Sequence, residues 1–228
     1  MSEVTAVHGL PIGLALVVLA GALPPAGAVD FPGPDPGRAV ATIDGDRLRL
    51  ENAALAVEWK IPDQGPCSVA VLDKRSGASI AAGAEMFVLT LADGRVVTAS
   101  ELKRVSPPRS EKLAADPQAT SAAQRLAGQK ISVTLAGLDG NLEVRWQAVL
   151  RDGSNYVRQF VTLKALKEEL PIKNLRLVDL PRGGGYVRMP YPPTAVGASV
   201  AGTVAGSPVV EGPFFFAYEH PNARSEVV

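Results

Sequence analysis

The chain has 228 residues, 46% hydrophobic and 20% charged, which suits one folded domain with a full core and excludes a disordered or fibrous polypeptide. Its 23 basic and 23 acidic residues cancel and no run of five like charges occurs, so neither nucleic acid nor an anionic membrane surface is an expected partner. A single cysteine, Cys67, excludes an intramolecular disulfide, and its expected place is the core.

Residues 10–23, LPIGLALVVLAGAL, form an apolar run of signal-peptide length, and Ala26-Gly27-Ala28 offers the small residues at which a signal peptidase cuts. A signal peptide over 1–28 is expected, with a secreted or periplasmic mature chain that has no membrane attachment after cleavage. The preceding MSEVTAVHG lacks the basic residue of an ordinary signal n-region. A spanning helix is disfavoured, because it needs about 20 apolar residues and Pro11, Pro24 and Pro25 bound this run. Residues 29–42, VDFPGPDPGRAVAT, are rich in proline and glycine without a period and read as a linker.

From Ile43 the chain alternates apolar and polar residues in short runs between turn signals, the pattern of antiparallel sheet. The predicted strands are 47–52, 54–61, 67–73, 86–92, 95–105, 129–137, 141–151, 155–166 and 172–180. Asp93-Gly94 predicts a hairpin turn, because its central residues need positive φ. Leu138-Asp139-Gly140 and Asp152-Gly153-Ser154 predict turns that join three strands into a meander. In NLEVRWQAVLR, Leu142, Val144, Trp146, Ala148 and Leu150 share one face, while Glu143, Arg145, Gln147 and Arg151 share the other. In NYVRQFVTLKAL apolar groups fall on both faces, which predicts a strand covered on both sides inside a sandwich.

Helix signals are thin. The stretch 110–128 is broken by Pro117 and predicts at most a turn or two, and LKEEL at 166–170 predicts another short turn. After Leu180 a run of 26 residues rich in proline and glycine predicts a long loop crossing a sheet edge. Its Gly183-Gly184-Gly185 is not a phosphate loop, since no lysine with Ser/Thr follows and no helix begins there. FFFAYEH (214–220) predicts a strand, with Phe214, Phe216 and Tyr218 on one face and Phe215, Ala217 and Glu219 on the other. The expected fold is an all-β, antiparallel two-layer β-sandwich over 43–221, with a disordered tail at 222–228.

Catalytic constellations fail by subtraction. His220 is the one histidine outside the signal segment, the nucleophile-elbow and dinucleotide glycine patterns are absent, and His220 with Cys67 cannot assemble a zinc site. Glu219 and His220 are neighbours on a strand and point to opposite faces, so they cannot act together on one atom. Paired carboxylates remain, but the sequence does not show which two would stand together. No cofactor, metal or catalytic residue is assigned. For sugar contact, stacking candidates are Trp59, Trp146, Tyr156, Tyr186, Tyr191 and Tyr218. Hydrogen-bonding candidates are Arg158, Arg176, Asp179, Glu219 and His220. The set retained is Arg158, Tyr186, Tyr191, Tyr218, Glu219 and His220.

The series LRLENAALAVEWKI, LRDGSNYVRQFVTLKA, LPIKNLRLVDLP and GSPVVEGPFFFAYEHP resembles the N-terminal β-supersandwich of secreted α-galactosidase-type glycoside hydrolases, a galactose-mutarotase-like domain. The resemblance spans about residues 43–221 and implies a non-catalytic accessory domain, truncated before a catalytic (β/α)8 barrel. It implies a galactose-type carbohydrate as ligand. The alternative is a structural domain that docks a separate glycosidase barrel or another copy of itself. A free-standing aldose-1-epimerase would need a glutamate base and histidine acids around one pocket, and the chain departs from that pattern.

Overall fold

Period-two alternation fixes which side chains share a face, and burial of one face against another layer fixes the strand as part of a sandwich. The computed structural model describes residues 34–182, 185–191, 209–211, 214–217 and 226–227. In chain order the strands are β1 (Val40–Asp44), β2 (Arg47–Glu51), β3 (Leu55–Lys60), β4 (Ser68–Asp73), β5 (Ser79–Ala84), β6 (Val88–Leu91) and β7 (Val96–Thr98). There follow β8 (Lys103–Arg104), β9 (Arg109–Leu113), β10 (Gly128–Gly137), β11 (Leu142–Arg151), β12 (Val157–Ala165) and β13 (Ile172–Arg182). The last are β14 (Gly185–Tyr191), β15 (Val209–Glu211), β16 (Phe214–Phe216) and β17 (Glu226–Val227).

Every described pairing is antiparallel. The first sheet is the meander β1-β2-β3-β4-β5. The second runs β12-β11-β10-β8, with β9 also on β10. A third sheet, β17-β14-β13-β6-β7, adjoins the first where β13 runs beside β5, and β15 pairs β16.

The first two sheets pack face to face. Leu48, Leu50, Val57 and Trp59 from the first are buried with Ile131, Val133, Leu135, Val144, Trp146 and Leu150 from the second. Trp59 and Trp146 meet edge to face across the layers, ring centroids 5.0 Å apart and planes at 68°, the geometry that the ring quadrupoles favour. Trp146 Nε1 donates to Gln159 Oε1 at 3.2 Å. Leu89, Leu91, Val97 and Leu175 of the third sheet join the same core, and each fully buried aliphatic side chain adds about 1.5–3 kcal/mol.

One end of the sandwich is fastened by a buried amide. Asn52 follows β2; its Oδ1 accepts from Ala54 N and Leu55 N, and its Nδ2 donates to Ser154 O at 2.6 Å, between β11 and β12. Residues ahead of β1 reinforce the link: Ala39 N donates to Asp152 Oδ1 at 2.8 Å, Gly153 N to Gly37 O, and Ala53 N to Pro36 O. A second asparagine, Asn141, holds the β10–β11 turn, its Oδ1 accepting from Lys167 N and Glu168 N. Leu138 and Asp139 in that turn have φ of 50° and 53°, a left-handed conformation costly for side-chain-bearing residues.

The structure departs from the sequence reading in five places. The run 95–105 is two strands: a 3-10 turn at Ala99–Glu101 sends β7 to the third sheet and β8 to the second. The stretch 110–128 holds the one short turn expected of it, a 3-10 turn at Ala122–Arg125, but it starts with a strand that was not expected, β9, paired with β10. Regular structure begins at Val40, inside the stretch read as linker. The loop expected after Leu180 contains the end of β13 and all of β14, which pair across Gly183 and Gly184. Finally, β12 is an edge strand with Phe160 45% exposed, not a strand covered on both faces. The hairpin at Asp93-Gly94 forms as read, with φ of 91° at Gly94. Cys67 is buried; burial first, then the Glu85 charge, pushes its thiol up to about 11, so it stays protonated and inert.

Candidate functional site

Strand register decides what each sheet presents to solvent. In the second sheet Val144, Trp146 and Ala148 of β11 point inward, so Glu143, Arg145, Gln147, Val149 and Arg151 point outward. Across β12, Arg145 stands beside Thr162, Gln147 beside Phe160 and Val149 beside Arg158. Across β10 and β9, Gln147 stands beside Ser132 and then Arg109, and Val149 beside Lys130 and then Glu111. The outward surface is therefore a face of arginines, lysines, hydroxyls and one amide, edged by aromatics.

The aromatic edge is local in origin. Tyr156, Arg158 and Phe160 alternate along one side of the chain; Tyr156 is 46% and Phe160 45% exposed. The Arg158 guanidinium lies over the Tyr156 ring, 5.7 Å from its centroid, within cation–π range. Arg151, which ends β11, donates to Leu126 O at 2.6 Å. It lies against Gly128, where a Cβ would collide with the Leu150 carbonyl oxygen and sit 2.9 Å from Arg151 Cα.

The outward face of the first sheet is built differently. Arg49 pairs with Glu51 at 2.9 Å and with Glu58 at 3.6 Å, Arg47 with Glu58 at 3.3 Å, and Lys74 with Glu51 at 2.6 Å. Hydrogen bonds from Arg49 and then Lys74 hold the Glu51 carboxyl well below its ordinary value, to about 2, and the same pairing raises the Arg49 guanidinium.

A cleft of about 540 Å³ opens between the β6–β7 turn, the 138–141 turn and the β12–β13 connection. Its polar groups bond to one another: Asp93 pairs with Arg95 at 2.7 Å, Lys167 Nζ donates to the Asp139 carbonyl, and Asn141 is engaged with the Lys167 and Glu168 backbone. No aromatic ring lies among its described lining residues. Among the described residues no group of three His, Cys, Asp or Glu could hold a metal, and no helix is long and apolar enough to cross a membrane.

Of the six retained sugar-contact candidates, Arg158 lies on the second sheet's outward face, while Tyr186 and Tyr191 lie on β14 in the third sheet. Tyr218, Glu219 and His220 fall outside the described residues. The structure thus does not bring Arg158 onto one sheet with the two tyrosines. Arg176 and Asp179 lie on β13. Trp59 and Trp146 are fully buried against each other and are lost as stacking platforms. Arg145, Gln147 and Phe160 were not among the candidates. Alternation in β11 already placed Arg145 and Gln147 outward, whereas Phe160 lay on a strand read as covered on both faces, and only register sets the three side by side.

Comparison with protein-family models, with curated proteins and with solved structures finds no match.

Proposed function

We propose that this chain is a non-catalytic accessory β-sandwich of a secreted carbohydrate-active enzyme, of the galactose-mutarotase-like kind, and that it binds sugar on the outward face of its second sheet. The observation that carries this reading is the exposed pair Tyr156 and Phe160 flanking Arg158 on an edge strand, beside the amide of Gln147. A sugar ring has an apolar face suited to an aromatic ring and hydroxyls suited to charged or amide groups, and an open face admits a chain rather than a single residue. On strand spacing, Tyr156 and Phe160 stand about 13 Å apart, room for more than one sugar unit.

A glycan array carrying neutral and acidic galactose-type oligosaccharides, probed with the full chain, tests this reading. Binding is expected, and Phe160→Ala should weaken it about ten-fold without lowering the melting temperature, since Phe160 is outside the core. Silence across the whole array, or full binding by Phe160→Ala, would remove the reading.

A further inference from the structure

We infer that the outward face of the second sheet takes a polyanionic glycan, a chain whose sugars carry carboxylate or sulfate groups; this rests on the carbohydrate reading above and narrows its ligand class. The chain as a whole is neutral, with 23 basic and 23 acidic residues. This face is not. On β9 to β12 it presents six cations, Arg109, Lys130, Arg145, Arg151, Arg158 and Lys164, against two carboxylates, Glu111 and Glu143. Setting Arg158 aside, five cations still face two carboxylates.

The two acidic groups do not neutralise the rest. Glu111 pairs with Lys130 at 2.7 Å, and Glu143 stands opposite Lys164 in register. Among the described residues, Arg109 and Arg145 form no ion pair, and both are exposed. The guanidinium of Arg151 is bonded to the Ala114 and Leu126 carbonyls, which leaves its charge intact. The first sheet shows the contrast: on its outward face Arg47, Arg49, Lys60 and Lys74 meet Asp44, Glu51 and Glu58, four cations against three carboxylates, and most are paired. Like charges gathered on one face repel one another and contribute nothing to folding, whereas an extended polyanion relieves that repulsion.

The layout of the face favours a glycan among polyanions. The cations are spread over four strands rather than converging on a point, which suits a chain of spaced charges and not one small anion. Ser132, Thr134, Gln147 and Thr162 lie between them and offer the donors and acceptors that sugar hydroxyls need. The major groove of a duplex, about 12 Å wide, admits a helix or a two-stranded ribbon, and this sheet has five strands. A single-stranded nucleic acid needs a ring for each successive base, and here the rings stand at one edge only, with Arg158 already over Tyr156.

The test is a calorimetric titration of the full chain with polygalacturonate, a sulfated galactan, a neutral galactan and oligo-dT, at low and high NaCl. The acidic glycans should bind about ten-fold or more tighter than the neutral one and lose about ten-fold in affinity as salt shortens the reach of the charges. The double variant Arg109→Gln/Arg145→Gln should lose about ten-fold for the acidic glycans, while Lys60→Gln, on the opposite face, should bind as the parent does. Both changes are at exposed positions, and an unchanged melting temperature keeps the comparison valid. Equal, salt-insensitive binding of neutral and acidic glycans overturns the charge inference and leaves the carbohydrate reading standing. No binding to any glycan overturns both, and tighter binding to oligo-dT than to any glycan overturns the inference in favour of a nucleic acid.

Discussion

The two outward faces of the sandwich are made by the same local rule and end in opposite electrostatic states. On the first sheet Arg49 sits between Glu51 and Glu58, and Lys74 closes on Glu51, so charge is used up within the face. On the second sheet Lys130 and Glu111 make the ion pair seen among the described residues, and Arg109 and Arg145 beside them are exposed and form none there. Pairing opposite charges across strands stabilises a sheet by a few tenths of a kcal/mol to about 1 kcal/mol each, and gathering like charges forgoes that gain. A face that forgoes it is the better place to look for a charged partner.

Three changes would break or sharpen this contrast. Gly128→Ala should be the most damaging, because the added methyl meets the backbone of β11 at Leu150 and Arg151, not a side chain that can swing away. A loss of about 2–3 kcal/mol is expected, read by urea denaturation. A loss below about 0.5 kcal/mol would mean that β10 and β11 are not so closely apposed beneath Arg151.

Acid should then loosen the first face through Glu51. The Glu51 carboxyl titrates near pH 2 when folded, against an ordinary 4.5. Its contribution is therefore complete above about pH 5 and disappears as pH falls towards 2. With about a quarter of its side chain exposed, solvent screening limits the effect to about 1 kcal/mol. Glu51→Gln should flatten that part of the stability–pH curve, and an unchanged acid limb in the variant would show that the Arg49–Glu51–Lys74 cluster is not formed.

The smallest expected effect concerns single cations. Arg49→Gln should cost about 0.5–1 kcal/mol, since Glu51 and Glu58 each lose one of two cationic partners, whereas Arg145→Gln should be neutral or stabilise by up to about 0.5 kcal/mol through relief of repulsion. Thermal melts at low salt separate the two. Equal losses would place Arg145 in a paired network like that of Arg49.

Much of the scaffold was legible from residue order. The alternation in NLEVRWQAVLR assigned the buried face of β11 residue by residue, and all five of Leu142, Val144, Trp146, Ala148 and Leu150 are inaccessible to solvent. The Asp-Gly turn at 93–94 was equally plain, because the chemistry that makes it sits in two adjacent residues. Strands that lack alternation were not: SIAAGA of β5 is made of small residues with no apolar–polar period, and β9, RSEKL, has polar residues on both faces. Both are held by their neighbours, β5 by β4 and β9 by β10. The covered environment expected for β12 failed for a related reason. A run with apolar groups on both faces reads the same whether it lies mid-sheet or at an edge, and edge position depends on which strands stand beside it.

The candidate site was legible only in fragments. Arg158 was named as a hydrogen-bonding candidate, and the partners that give it a surface lie on other strands. What the order of residues determined by itself is the period-two pattern, hence antiparallel sheets, their buried faces and the hairpin turns, because each is a property of residues within a few positions of one another. Only the tertiary structure decided that one outward face pairs its charges and the other gathers cations, because a net charge is a sum that ignores position while register brings Arg109, Arg145 and Lys164 together from three separate strands.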